Sequence, residues 1–389
     1  MTVFKRILNI SLREVRNLVT NPMYFLFMVS APIIVVLFFT TFLRDGQPID
    51  MPVGVVDQDN TTTTRRLVRM LDAFQTSKVV GQYATVADAR RAIQRNEIYA
   101  FFYVPAGTTS KLLASRKPKV SFYYSMTTLT SGSLLYRDLK TIASLGNAGV
   151  IQGSLKARGA TDKQIMTYLQ PLQIDLHQIA NPATDYNVVL TTTLVPAVLT
   201  LFMFLLAAYS LGTELKFETG PNLMLRAGDN IWIALVGKML PMFFIFLNIF
   251  FIYELYVYYF LGFPHLGGPW PIALLGVLTV TASLGFGIFM FGLVPQLRMS
   301  MSICSLWAVL SFSLAGALFP LASMDTPIQS VANLFPMRHY FLIYQATVFN
   351  GYPVSAVWVN VVALVAFSLL PLLVFPRIKK ALKYYVYIP

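Results

Sequence analysis

Six runs of about 20 apolar residues, each long enough to cross the ~30 Å hydrocarbon core of a bilayer as a helix, leave this chain few alternatives. They occupy Met23 to Leu43, Val188 to Leu211, Ile231 to Leu261, Pro271 to Val294, Met301 to Pro320 and Val354 to Phe375. Apolar residues make up 56% of the chain and charged residues 12%, so much of the surface must face something other than water. The expected fold class is an α-helical integral membrane protein with six transmembrane helices, plus an extracytoplasmic α/β domain inserted between the first and second.

Orientation follows from the basic residues. Lys5, Arg6, Arg13 and Arg16 precede the first run, Lys216 and Arg226 follow the second, Arg298 follows the fourth, and Arg377, Lys379, Lys380 and Lys383 follow the sixth. The connection from Gly262 to Trp270 carries no Lys or Arg, so both termini are expected on the cytoplasmic side of a bacterial inner membrane. The net charge of +13 divides almost evenly between residues 44–185 and the rest, and topology accounts for most of the second share. A nucleic-acid partner is not needed to explain it. The lone cysteine, Cys304, excludes an intrachain disulfide. The first run is too long for a signal-peptide core, and an uncleaved signal anchor is expected.

Five segments result. Residues 1–20 form an amphipathic interface helix, with Phe4, Leu8, Leu12, Val15 and Val19 on one side and Lys5, Asn9, Arg13 and Arg16 on another, the basic side facing lipid phosphates. Residues 21–43 are the first span, which Asn21-Pro22 turns into the membrane. Residues 44–187 read as an α/β domain, with strands at Met51 to Val56, Lys78 to Tyr83, Ile98 to Val104 and Lys119 to Tyr124 between short helices, then a helical stretch from Leu129 to Tyr168. Asp57-x-Asp59 lacks the glycine and glutamate of a calcium loop and reads as a strand-to-helix cap. Residues 188–375 hold the other spans, and residues 376–389 a basic tail.

Within 188–375 the stretch 212–230 stands out, because it places a short helix between two apolar runs. Gly220-Pro221 starts it, Leu223-Met224-Leu225 give it an apolar rib, Gly228 stops it and Asp229-Asn230 cap the next helix. Glu214 and Glu218 lie on its approach, and Arg226 ends it. An intramembrane acid, Glu254, is a site candidate by its depth, but it sits among tyrosines of an aromatic belt and reads as a structural residue or one snorkelling to headgroup water. The segment 321–353, with Pro336, Arg338, His339 and Tyr340, reads as short re-entrant helices packed against the spans, the histidine being a hydrogen-bonded packing residue. Gly237-Lys238 looks like the end of a phosphate-binding loop, but Met239 replaces the required Ser/Thr and no strand leads in. No hydrolase or metalloenzyme motif is present, and neither a metal nor a cofactor is expected.

Taken together, several motifs resemble a known family: the basic helix ending in Asn21-Pro22, the Asn181-Pro182 to Tyr186 approach, Glu218-Thr219-Gly220 with Leu223, Gly237-Lys238 before Pro241, Gly316-x-x-Phe319-Pro320, and Pro336-x-x-His339-Tyr340. In this order and spacing the chain resembles an ABC transporter permease of the type-2 exporter class. The resemblance implies that the loop after the second span is a coupling helix docking on a separately encoded ABC ATPase subunit. The contact set would be Glu214, Glu218, Gly220, Pro221, Leu223, Leu225 and Arg226. It also implies that the partner subunit binds ATP and Mg, that a second permease (a copy or a paralogue) completes the pathway, and that the cargo is a drug-like, lipid or other amphipathic molecule. The size and basic surplus of the inserted domain suggest a periplasmic adaptor as a further partner. Two alternatives remain: a non-transporting scaffold or receptor that displays the inserted domain, and a secondary transporter using Glu254. Intramembrane ionisable residues are too few to favour the latter.

Overall fold

The computed structural model describes residues 2–42, 44–114, 116, 118–170, 181, 184–317 and 319–384. Pro182 of the Asn181-Pro182 motif and the last five residues of the tail lie outside them. The chain is mostly helical and divides into two compact units, one formed by residues 1–44 and 178–389 and the other by residues 45–177.

The membrane unit begins with α1 (Val3–Thr20) and α2 (Pro22–Phe42). Asn21 separates them by accepting a hydrogen bond from Met23 N–H at 3.0 Å, so Pro22 can start α2 at the position where its missing N–H is harmless. α1 has three faces rather than the two expected. Ile10, Ser11, Glu14 and Leu18 are buried, Phe4, Leu8, Leu12, Val15 and Val19 form an exposed apolar stripe, and Lys5 and Arg16 are exposed. Arg13 does not face outward with them, because it turns toward a buried carboxylate described below.

The inserted unit follows the sequence reading closely. Its elements are β1 (Met51–Asp57), α3 (Thr62–Asp72), β2 (Ser77–Gln82), α4 (Val86–Gln94), β3 (Ala100–Val104), α5 (Thr108–Leu113), β4 (Ser121–Tyr124), α6 (Leu129–Ala157) and α7 (Asp162–Leu169). The strand order is β2-β1-β3-β4, with β1 parallel to both neighbours and β4 antiparallel to β3. Val53 and Val55 pack with Leu71, Phe102, Leu135 and Leu139 on one face, while Val56 and Phe101 pack with Ala89, Ala92 and Ile98 on the other. Helices on both faces explain why β1 is a nearly unbroken apolar run. Cross-strand ring pairs, Phe101–Tyr123 at 4.5 Å and Phe102–Phe122 at 5.2 Å, fix the β3–β4 register.

Asp57-x-Asp59 braces the strand-to-helix turn, while the cap of α3 is Thr61, one residue past the Asp57 to Asn60 stretch, whose hydroxyl accepts from Thr64 N–H at 3.3 Å. Asp57 accepts from the backbone N–H groups of Asp59 and Asn60 and, through its other oxygen, from Thr64 Oγ1 at 2.6 Å. Asp59 accepts from both the N–H (2.9 Å) and the hydroxyl of Thr109, joining the β1–α3 loop to the start of α5.

After the insert, the membrane unit continues with α8 (Tyr186–Lys216), α9 (Gly220–Arg226), α10 (Ile231–Phe260), α11 (Pro269–Leu293), α12 (Leu297–Ser313), α13 (Thr326–Ala332), α14 (Pro336–Ile343) and α15 (Val354–Tyr384). Five helices, α2, α8, α10, α11 and α15, are long and apolar enough to cross a membrane; α12 is a shorter apolar helix of 17 residues. The expected fifth run, Met301 to Pro320, therefore begins earlier and ends at Ser313. α15 runs past the expected end at Phe375, carrying Arg377, Lys379, Lys380 and Lys383 within it.

Two helix-interior prolines explain how distant segments are tied together. Pro196 in α8 has no N–H to give the Thr192 carbonyl, and the hydroxyl of Tyr340 on α14 donates to that carbonyl at 3.4 Å. Pro241 in α10 likewise leaves the Gly237 carbonyl free, and Ser11 Oγ of α1 donates to it at 2.8 Å. Where no water is at hand, such repairs are obligatory.

His339 bonds through both ring nitrogens, to Asn360 and to the Asn333 carbonyl, each at 2.9 Å. Arg338 reaches the Ala315 carbonyl at 3.4 Å. Glu254 is only 6% exposed and faces α11, where a Cβ added at Gly276 would lie 3.3 Å from its Oε1. Of the two expected readings, structural or snorkelling, it fits the structural one, as a packed residue of the bundle.

The carboxyl of Asp59 is held below the usual carboxylate range by its Thr109 hydrogen bonds. A depressed folded-state pKa contributes stability that is present above the unfolded value and lost as pH falls through the folded one. Asp59→Asn should therefore weaken the β1–α5 junction by about 1 kcal/mol at neutral pH. The difference from the native chain should shrink below pH 4, as read by hydrogen exchange of the β1 and β3 amides.

Candidate functional site

The loop between α8 and α10 rests on a cluster of buried charges. Lys238, inside α10, is 1% exposed, and Glu14 of α1 and Glu214 of α8 are 1% and 3% exposed. Lys238 Nζ donates to Glu14 Oε1 (2.9 Å), Glu14 Oε2 (2.8 Å) and Glu214 Oε1 (2.8 Å). Arg13 Nη2 donates to Glu214 Oε2 at 3.0 Å, and the Thr219 hydroxyl donates to the same oxygen. Ser210 Oγ donates to Glu14 Oε1 at 3.0 Å. Two cations thus face two anions, and the hydroxyls of Ser210 and Thr219 and the Asn17 amide (3.4 Å to Glu14 Oε2) supply further donors. That is the condition under which buried charge is tolerated, since unpaired ions pay a desolvation penalty of several kcal/mol each.

Local sequence makes the cluster possible. Gly237 has no side chain where α1 crosses, and a Cβ there would lie 2.8 Å from Ile10 Cβ and 3.1 Å from the Ile7 carbonyl. The neighbouring Lys238 can therefore reach Glu14 across a close helix contact. The Gly237-Lys238-x-x-Pro241 stretch is an anchor for α1: glycine sets the approach, lysine pairs with Glu14, and proline frees the carbonyl that Ser11 takes.

From this base the loop is built in two closures. α8 ends with Glu218 in the left-handed region (φ 54°), and the Thr219 N–H returns to the Glu214 carbonyl at 2.9 Å. α9 ends the same way, with Gly228 left-handed (φ 67°) and the Asp229 N–H bonded to the Met224 carbonyl at 2.9 Å. Between them Leu223 and Met224 are buried, at 0% and 1%, while Leu225 is 81% and Phe217 64% exposed. Pro221, Asn222, Arg226 and Glu218 are exposed beside them. Gly220 is buried against α15, where a Cβ would lie 2.4 Å from the Leu382 carbonyl. At the far end Asn230 caps α10 through Trp232 N–H at 3.0 Å, and Asp229 pairs with Lys379 (3.2 Å) and with Lys383. Those two ammonium groups hold the Asp229 carboxyl below its ordinary range.

The expected contact set therefore separates into two groups. Glu218, Pro221, Leu225 and Arg226 are accessible. Glu214, Gly220 and Leu223 are not available to a partner, because Glu214 is engaged by Lys238, Arg13 and Thr219 and the other two are packed against the chain's own helices. The sequence reading missed Glu14, Lys238, Ser11 and Ser210. A signal was present: Glu14 is the sole acid before Asp45, and Lys238 lies inside an apolar run, where a charge demands a partner. Among the described residues no cluster of His, Cys, Asp and Glu could hold a metal ion.

Residues 23–375 match the family described as ABC-2 family transporter protein, and the chain belongs to that family. No curated protein matches it significantly. It is a multi-pass membrane subunit of an ABC transporter, not itself the catalytic subunit.

Breaking the cluster on one side should be far worse than replacing it. Lys238→Ala leaves two carboxylates buried together and should destabilise the membrane unit by about 3–5 kcal/mol. Lys238→Met combined with Glu14→Gln and Glu214→Gln should recover most of that loss, measured as the thermal midpoint of the detergent-purified chain.

Proposed function

We propose that this chain is the permease subunit of an ATP-driven exporter, and that α9 is the element through which a separate ABC ATPase subunit moves it. One observation carries this reading. A seven-residue helix presents Leu225, 81% exposed, between Glu218 and Arg226, while its opposite face is locked to α1, α10 and α15. An exposed apolar anchor with charged neighbours suits a protein partner. A helix fixed on its inner side transmits displacement as a rigid lever instead of absorbing it. Family membership supplies the expectation of an ATPase partner.

The rest of the reading follows from topology. With α12 counted as a sixth, short span, both termini and α9 lie on the cytoplasmic side and the inserted unit lies outside. The apolar stripe of α1 lies in the inner interface, with Lys5 and Arg16 toward headgroups and Arg6 and Arg13 turned to the loop. A second permease completes the pathway for an amphipathic cargo, and the inserted unit engages a periplasmic adaptor or the cargo. ATP and Mg belong to the ATPase subunit.

The test is co-purification in mild detergent. Leu225→Asp should abolish recovery of a Walker-motif ATPase with the chain while leaving its stability within about 0.5 kcal/mol of native, because the residue is at the surface. Recovery of the ATPase with Leu225→Asp, or its absence with the native chain, would move the scaffold reading to first place. Leu223→Asp is not a usable probe, since it buries a charge.

A further inference from the structure

Helices α10, α11 and α15 enclose an apolar cavity of about 330 Å³ whose walls include Trp232, Val236, Leu240 and Phe243 of α10, Leu284 of α11 and Leu372 of α15. The α10 residues recur every three or four positions and so form one stripe. At 1.5 Å rise per residue the stripe is about 16 Å long. That is close to half of the ~30 Å hydrocarbon thickness, the depth of a single leaflet. The cavity opens outward from the unit, since Trp232 is 51% and Leu372 46% exposed. In a bilayer an opening at that depth meets acyl chains.

One end of the groove is chemically different. The rings of Trp232 and Phe375 lie 5.9 Å apart there. Just before Trp232 in the chain is the Ala227–Asp229 turn, and four residues after Phe375, on the same side of α15, is Lys379. Lys379 Nζ donates to the Asp229 carbonyl at 2.7 Å and pairs with its carboxylate at 3.2 Å, Lys383 pairs with the other carboxylate oxygen, and Arg6 Nη1 reaches the Ala227 carbonyl at 3.5 Å. Two ammonium groups therefore meet one carboxylate, with the Arg6 guanidinium on a carbonyl of the same turn, and positive charge is in excess where the apolar groove ends.

We infer that this groove binds an anionic phospholipid of the leaflet on the α9 side, with one acyl chain along α10 and the phosphate at Lys379 and Lys383. The match is of length on one part and of charge on the other: a chain as deep as a leaflet, and a headgroup that neutralises the surplus. Basic pockets at the ends of membrane helices recognise anionic headgroups in this manner. A lipid so placed would touch the turn that closes α9, so the loop and the surrounding leaflet would be read by the same residues. This inference requires a membrane location and does not depend on the ATPase reading.

The experiment uses the full-length chain, stripped of lipid in detergent and titrated with phosphatidylglycerol or phosphatidylcholine carrying brominated chains. Quenching of Trp232 is taken as the difference from Trp232→Phe. Phosphatidylglycerol should quench at a concentration at least tenfold lower than phosphatidylcholine. Lys379→Gln with Lys383→Gln should remove that preference, and Thr281→Phe, which fills the groove, should remove quenching by both lipids. Asp229→Asn should strengthen the preference for phosphatidylglycerol, an outcome that a merely structural role for the ion pairs does not produce. Equal midpoints for the two lipids in the native chain, or an unchanged preference after the lysine substitutions, would mean ordinary annular lipid and overturn the inference. Lipid-independent shielding of Trp232, accompanied by cross-linking between copies in the Leu372→Cys variant, would mean that a second copy covers the face and would overturn it equally. Should Thr281→Phe fail to fold, Asp229→Asn decides alone: an unchanged or weakened preference rejects the site.

Discussion

A lysine buried between two glutamates holds the membrane unit together on the side of the α9 loop. Lys238 belongs to α10, Glu14 to α1 and Glu214 to α8, so one ammonium group joins three helices that are far apart in the chain. The arrangement is restrictive because its members are nearly inaccessible to water. A shift of α1 by one turn would leave a carboxylate or an ammonium unpaired at a penalty of several kcal/mol. The position of α1 on the bundle is thus set by charge geometry, and the hydrophobic contacts of Ile10 and Leu18 are made within that register.

The same logic of polar satisfaction recurs at the prolines. Membrane helices tolerate proline where another group takes the freed carbonyl. Ser11 does this for Pro241 and Tyr340 for Pro196, and in both cases the donor adds to other polar ties of its element, Glu14 to Lys238 for α1 and His339 to Asn360 for α14. α1 and α14 are therefore specified at single points as well as by area. The loop carrying α9 benefits twice, since Glu214 and Thr219 tie its start to the buried cluster while Asp229 ties its end to α15. A short helix held at both ends is a stiff element.

The inserted unit was legible in the sequence to within a residue or three at nearly every boundary. Its strands are short β-branched and aromatic runs, and its helices begin at Thr61, Thr85 and Thr161, whose caps are local interactions among residues three apart. The α9 helix was legible for the same reason, through Gly220-Pro221 and Gly228. Its orientation was not: Leu223, Met224 and Leu225 are equally apolar, and nothing in their order says that the first two face inward and the third outward. The basic side of α1 was misread in the same way, because Arg13 and Arg16 share a face by spacing alone, yet only Arg13 has a carboxylate within reach.

Sequence by itself determined that this chain lives in a membrane, where most elements of the inserted unit begin and end, and that a capped helix interrupts the apolar runs after Lys216. These are properties of apolar length, periodicity and local capping, and each is decided by residues within a few positions of one another. Only the tertiary structure decided which charges are buried together, which prolines are repaired by which side chains, and which face of α9 remains free. Glu14 and Lys238 are separated by 224 positions, and no spacing rule reaches that far. Their pairing is imposed by the cost of an unpartnered charge away from water, a cost that exists only once the helices have come together.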